Sequence, residues 1–174
     1  MRQESFLVIQ VVGYKNAGKT TLISELISCL TARNYRVATL KHHGHESSLQ
    51  TVGNTDSTKH HQAGAFMAGV RSSSEFLMHI DGAQPLTMKQ IMTIYAMMDI
   101  DILLLEGFKQ AEYPKIVLLR EETDKTLLQL SNIIAIGAKR DNLLQNTIYE
   151  TFSLNDLDKA VPRLADLCLA NKEI

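Results

Sequence analysis

Eight consecutive residues carry the clearest chemistry in the chain. Gly13, Tyr14, Lys15, Asn16, Ala17, Gly18, Lys19 and Thr20 satisfy G-x-x-x-x-G-K-[ST] without a mismatch. Each residue type has a physical reason to be there. Glycines let backbone N–H groups turn inward around phosphate oxygens, a following helix adds the partial positive charge of its N-terminus, and Lys19 neutralises the β- and γ-phosphates. Thr20 is the expected Mg²⁺ ligand through its hydroxyl, with Thr21 beside it in the first helical turn. The chemistry is the binding of a nucleoside triphosphate.

Such a loop needs an acid at the end of another strand, to hold Mg²⁺ or its water. Asp99 and Asp101 precede the run ILLL, and Glu106 follows it. Ligands of open parallel sheets gather at the carboxyl ends of strands, and a strand rising ~3.3 Å per residue leaves Asp101 about 16 Å from that edge. Glu106 is therefore the expected acid, completing with Lys19 and Asp56 the candidate catalytic set. Thr20, Asp56 and Glu106 form the candidate metal set. Asp56 closes a long polar loop of the kind that supplies a metal ligand or senses the γ-phosphate in nucleotide switches. It equally suits the N-cap of a helix starting near Thr58.

LKHHGHE, residues 40 to 46, adds Lys41, His42, His43 and His45 at the end of the next strand, on the nucleotide edge. Three readings stand: a Zn²⁺ or Ni²⁺ site drawing also on Glu46, His60 and His61, a loop donating hydrogen bonds to an anion, or solvated imidazoles. Adjacent His42 and His43 point apart on a continuing strand, which disfavours joint chelation. Guanine-specific P-loop proteins commonly present [NT]KxD after a late strand. Here Ala138 precedes Lys139, Arg140 and Asp141, so Lys139 and Asp141 are kept and incline the reading toward GTP over ATP.

The elements that must position these residues alternate. FLVIQVV (6 to 12) suits a buried parallel strand. Leu22, Ile23, Leu26, Ile27 and Leu30 mark an amphipathic helix over residues 19 to 34. Strands are expected at 35–40, 66–70, 76–80, 102–105, 115–119 and 133–136, and helices at 58–65 and 88–98. The sulfur-rich MKQIMTIYAMM reads as core packing. Ser153-x-x-Asp156 suggests a capping box for a C-terminal helix to Ala170, kinked or delayed by Pro162. The expected fold is α/β: a P-loop NTPase-like, largely parallel sheet with helices on both faces, residues 1–174 forming one nucleotide-binding domain.

A formal charge of -1 in 174 residues offers no global attraction to nucleic acid or an anionic membrane. No apolar run approaches the ~18 residues of a membrane span. Two distant cysteines without a CxxC spacing suggest reduced, buried thiols. A cytoplasmic location is expected.

GYKNAGKTTL, LKHHGHE, Thr55-Asp56-Ser57 followed by Gln62-Ala63-Gly64-Ala65, LLLEGFK and YPKIVLLR occur in that order. Together they resemble the molybdopterin-guanine dinucleotide biosynthesis protein B (MobB) family. The resemblance implies a GTP- and Mg²⁺-binding, weakly hydrolysing homodimer that acts as an adaptor beside the nucleotidyltransferase MobA, with a molybdopterin cofactor intermediate as further partner. It carries over Gly13 to Thr21 for phosphate and Mg²⁺, Lys41 to His45 as a basic loop, Asp56 as a switch-like acid and Glu106 as the strand-end acid. Tyr14 stands where ParA-like and MinD-like ATPases carry a signature lysine. Slow hydrolysis is expected, because no water-positioning glutamine or arginine finger is evident. Two alternatives are a nickel- or zinc-handling GTPase using His42, His43 and His45, although a Cys-Pro metal motif is missing, and a small-molecule kinase, although no arginine-bearing lid stands out.

Overall fold

LVIQVV, residues Leu7–Val12, is buried at every position, as a strand must be when both faces of its sheet are covered. The computed structural model describes residues 6–42, 56–80 and 86–171. In chain order they form β1 (Leu7–Val12), α1 (Lys19–Ala32), β2 (Val37–Lys41), α2 (Asp56–Gln62), β3 (Met67–Arg71), β4 (Phe76–Ile80), α3 (Met88–Ala96), β5 (Ile102–Glu106), β6 (Lys115–Leu119), β7 (Ile133–Ala138), β8 (Glu150–Ser153) and α4 (Leu157–Ala170). Two 3₁₀ segments, Glu122–Gln129 and Asp141–Leu144, lie between the later strands. The chain makes two compact units, Met1–His43 with Ala96–Ile174, and Gly44–Tyr95.

The first unit holds a six-stranded sheet in the order β2-β5-β1-β6-β7-β8, every pairing parallel. Alternation along β1 sends Leu7, Ile9 and Val11 to one face, where they pack with Leu22, Leu26 and Leu30 of α1 and Val161, Leu164 and Cys168 of α4. Val12 faces the other way, into a cluster with Val117, Leu119 and Ile136 that Leu127 and Leu143 of the 3₁₀ segments close. Helical cover thus lies on both faces, α on one and 3₁₀ on the other. β2 and β5 lie to one side of β1, and the chain then crosses to β6 on the other. That reversal makes the carboxyl end of β1 a topological switch point, where ligands of such sheets bind.

Some local expectations are corrected. Ser153 belongs to β8, and Asp156 at the head of α4 makes no side-chain cap; Ser153 Oγ instead accepts from the Asn155 amide at 3.3 Å. Pro162 lies inside α4 without ending it. Its missing N–H leaves only the carbonyl of Asp158, an exposed residue, without a helical donor. The sulfur-rich stretch is only partly core: Met92 is buried, whereas Met97 and Met98, past the end of α3, are exposed.

In the second unit β3 and β4 form an antiparallel hairpin, with α2 and α3 in the same segment. Phe66, Phe76 and Leu77 of the hairpin region are each more than 60% exposed. Among the described residues no helix is long and apolar enough to cross a membrane.

Candidate nucleotide site

The loop from β1 to α1 is built from residues that tolerate unusual backbone. Asn16 (φ 64°) and Gly18 (φ 92°) are left-handed, a region open to glycine and, among side-chain residues, most readily to asparagine. Gly13 is required for space, since a Cβ there would lie 3.0 Å from both Ala17 Cβ and Leu118 O. Among the described residues no side chain caps α1, and no acid stands in its first turn, so its leading N–H groups suit an anion. Tyr14, Lys15 and Asn16 are exposed and Ala17 is buried.

Lys19 folds back over the loop, its ammonium donating to Gly13 O at 3.0 Å and Tyr14 O at 2.8 Å. Burial pulls its pKa below the ordinary lysine range; Glu106 opposes this, while Lys109, Lys41 and Arg120 push the same way as burial. Among the described residues three cations and one carboxylate thus act on Lys19, an imbalance suited to a polyanion.

Thr20 Oγ1 donates to Glu106, with both carboxylate oxygens at 3.2 Å. Lys41 ends β2 in register with Glu106 of β5, and its Nζ lies 3.0 Å from Glu106 Oε1. The hydroxyl and carboxylate are hard oxygen donors on adjoining elements, the donor set Mg²⁺ takes in company with phosphate and water. Thr21, next on α1, is exposed. Asp99 and Asp101 lie at the opposite end of β5, where Asp99 pairs with Arg36 and Asp101 Oδ2 accepts from the Arg36 amide at 2.8 Å.

His42 is fixed by its backbone, donating to Glu106 O at 3.0 Å, while its ring lies 5.0 Å from that of Phe108. His43, His45 and Glu46 lie outside the described residues. In the second unit His60 is exposed and His61 packs on His79, ring centroids 3.8 Å apart. Among the described residues no three His, Cys, Asp or Glu side chains gather as a metal site. Asp56, also in the second unit, is the first residue of α2 and pairs with Lys59 at 2.9 Å, so it lies inside the helix rather than preceding it as a cap.

Lys139 and Asp141 follow the carboxyl end of β7 and are exposed, Asp141 opening the second 3₁₀ segment. Asn155, after β8, donates its side-chain amide to Lys139 O at 2.8 Å. Leu154 beside it is the nearest group to a Cβ built on Gly18, at 3.7 Å. The β7 and β8 loops and the head of α1 thus border one region.

Sequence reasoning missed Arg120. It follows β6, donates through Nη1 to Lys15 O at 2.9 Å, and grips Asp124 through Nε at 3.0 Å and Nη2 at 3.1 Å. Asp124 is buried, and the Arg120 guanidinium holds its carboxyl below the usual range. The phosphate loop is thereby tied to β6 through a preset arginine. Arg120 closes YPKIVLLR, a stretch that carries part of the family resemblance with no role given to its arginine.

Comparison with known proteins relates the chain to one family. Residues 8–139 match the family described as molybdopterin guanine dinucleotide synthesis protein B. A Bacillus subtilis (strain 168) protein, named a probable molybdopterin-guanine dinucleotide biosynthesis adapter protein, is 33% identical over 153 residues, 87% of each chain. A Haemophilus influenzae adapter protein of the same kind is 28% identical over 160 residues, 91% of this chain and 85% of that one. The crystal structure of Bacillus subtilis MobB superposes with a TM-score of 0.82 at 30% identity, covering 95% of this chain and 98% of that one. A MobB homolog from Bacillus stearothermophilus gives a TM-score of 0.76 at 32% identity, covering 94% and 98%.

Proposed function

The chain belongs to the molybdopterin guanine dinucleotide synthesis protein B family, and from that premise we propose that it is a GTP-binding adaptor of molybdenum cofactor maturation. It acts beside the nucleotidyltransferase MobA, where a molybdopterin intermediate is converted to its guanine dinucleotide form. The observation that carries the reading is the meeting of Thr20 and Glu106 at the mouth of the glycine loop, with Lys19 folded over it. Relatives named as adapter proteins in this biosynthesis support it.

Within this reading the backbone of Gly13 to Gly18 and the Lys19 ammonium hold the phosphates, and Thr20, Thr21 and Glu106 stand at the Mg²⁺ end. When bound, Mg²⁺ supplies charge compensation at the β- and γ-phosphates. Lys41 and His42 form the basic rim, Lys139 and Asp141 face the guanine base, and Asp56 serves as the switch acid. Residues 1–174 work as one nucleotide-binding domain with the segment 44–95 as an insertion. Hydrolysis is slow, because Arg120 is committed to Asp124 and Lys15 O and is not free to act as a finger.

The exposed Phe66, Phe76 and Leu77 support a homodimer, since an exposed apolar patch of this kind marks an interaction surface. The working place is the cytoplasm. The test is a pull-down from cell extract with GTP-loaded and GDP-loaded protein, scored for MobA and molybdoenzymes. Recovery of MobA that depends on the bound nucleotide is the expected result; recovery of neither partner in either state refutes the adaptor role.

A further inference from the structure

The turn after β5 is held more firmly than a connecting loop needs. Gly107 (φ 90°) and Phe108 (φ 53°) are consecutive left-handed residues, and a phenylalanine there is an outlier of the kind that persists only when its surroundings impose it. What imposes it is Gln10, a polar side chain buried in the middle of β1. Its Nε2 donates to Phe108 O at 2.8 Å and Gly107 O at 3.3 Å, and its Oε1 accepts from Tyr113 N at 3.2 Å. Gly107 N also donates to Val11 O at 2.9 Å. A core position that alternation would fill with an apolar residue is thus devoted to aiming this turn.

What the turn aims is Lys109. Its Nζ lies 3.8 Å from the centroid of the Tyr14 ring, and among the described residues it has no carboxylate within ion-pair distance. Arg120 also approaches the ring, with Cζ 5.6 Å away, but its guanidinium is engaged by Asp124. Tyr14 is the second residue of the phosphate loop. Lys109 reaches this residue from the turn that follows β5, the strand paired with β1.

We propose that Lys109 binds the terminal phosphate of the nucleotide, and that the Tyr14 ring is its resting place when that phosphate is absent. A ring face is a weak partner for a partly solvated ammonium, whereas a phosphate oxygen accepts a charge-assisted hydrogen bond. The exchange therefore runs toward the triphosphate. Lys109 also lies close enough to Lys19 to depress its pKa, which places two ammonium groups near one loop without a matching pair of acids. The proposal rests on the nucleotide reading above and adds to it a residue that distinguishes triphosphate from diphosphate.

Calorimetric titration with GDP and with a GTP analogue carrying a non-hydrolysable β–γ bridge, in excess Mg²⁺, tests it. Lys109→Met should weaken the triphosphate about tenfold, as loss of one charged hydrogen bond implies, while GDP changes by less than about twofold on the same grounds. Lys109→Arg should restore most of the loss, and the unfolding midpoint should not move. Tyr14→Leu removes the competing ring and should tighten the triphosphate roughly twofold to fivefold. Equal effects of Lys109→Met on both nucleotides, or none on either, would overturn the proposal while leaving wild-type nucleotide binding in place. Wild-type protein that binds neither nucleotide would instead remove the nucleotide reading itself.

Discussion

Glu106→Gln separates the metal-side role of this carboxylate from its place in the fold. The side chain is 12% exposed and its partner Lys41 is 61% exposed. A pair so open on one side contributes about 0–1 kcal/mol to stability, and glutamine keeps the shape and an oxygen for Thr20. Folding should therefore be nearly unaffected. For the nucleotide the loss is larger. One unit charge at 4 Å is worth about 4 kcal/mol at an effective dielectric of about 20, doubled for a divalent ion and mostly returned by desolvation. A net loss of about 1.4–2.8 kcal/mol, or about 10- to 100-fold in Kd, is expected. Without Mg²⁺ the sign reverses, because removing a negative charge beside the phosphates should leave GTP affinity equal or slightly improved. The assay is calorimetric titration of GTP into wild-type and variant protein, in excess Mg²⁺ and in EDTA, with thermal unfolding as a control. A variant that keeps the wild-type Mg²⁺ dependence, or loses affinity equally with and without Mg²⁺, would refute the assignment of Glu106.

Three further outcomes follow from packing and charge. In Gly137→Ala the new Cβ would lie 2.3 Å from Phe152 Cζ, and Phe152 is itself buried; overpacking should cost about 1–3 kcal/mol, read as a lower urea midpoint. Asp124→Asn should destabilise the protein at neutral pH. Because Arg120 holds the Asp124 pKa below 3.8, the contribution is complete above that value and fades as pH falls through the lowered one. The wild-type advantage should accordingly shrink as the pH is taken below 3.8 in acid unfolding monitored by circular dichroism. Lys115 is wholly buried, its Nζ donating to Tyr113 O at 2.9 Å and Ser131 O at 2.6 Å, and burial puts its pKa below 10.5. The unfolded chain then holds the proton over a window in which the native one releases it, so stability rises with pH from the lowered value up to 10.5. Lys115→Met should remove that part of the rise, measured as urea midpoints at about pH 7 and about pH 10.

What could be read in advance was whatever chemistry or periodicity confines to a contiguous stretch. The phosphate loop needs eight neighbouring residues of set type, and α1 announces itself by five apolar residues at helical spacing. Glu106 was reachable by counting along one strand. β8 was missed because ETFS, residues 150 to 153, is mostly polar and short, and the 3₁₀ segments because their sequences carry no sustained apolar period. Gln10, Lys109 and Arg120 belong to another class, since their roles depend on strand order. The chain leaves β5 on one side of β1 and enters β6 on the other, with Gln10 of β1 in register with Lys115. Only this crossing carries residues 107 to 114 past Gln10 and brings Lys109 to Tyr14. It also sets the end of β6 beyond that of β1, so that Arg120 reaches Lys15 O. A polar residue inside an otherwise apolar strand is the trace that such a crossing leaves in a sequence. Gln10 interrupts the apolar run FLVIQVV, and its burial without a partner would be costly enough to demand one.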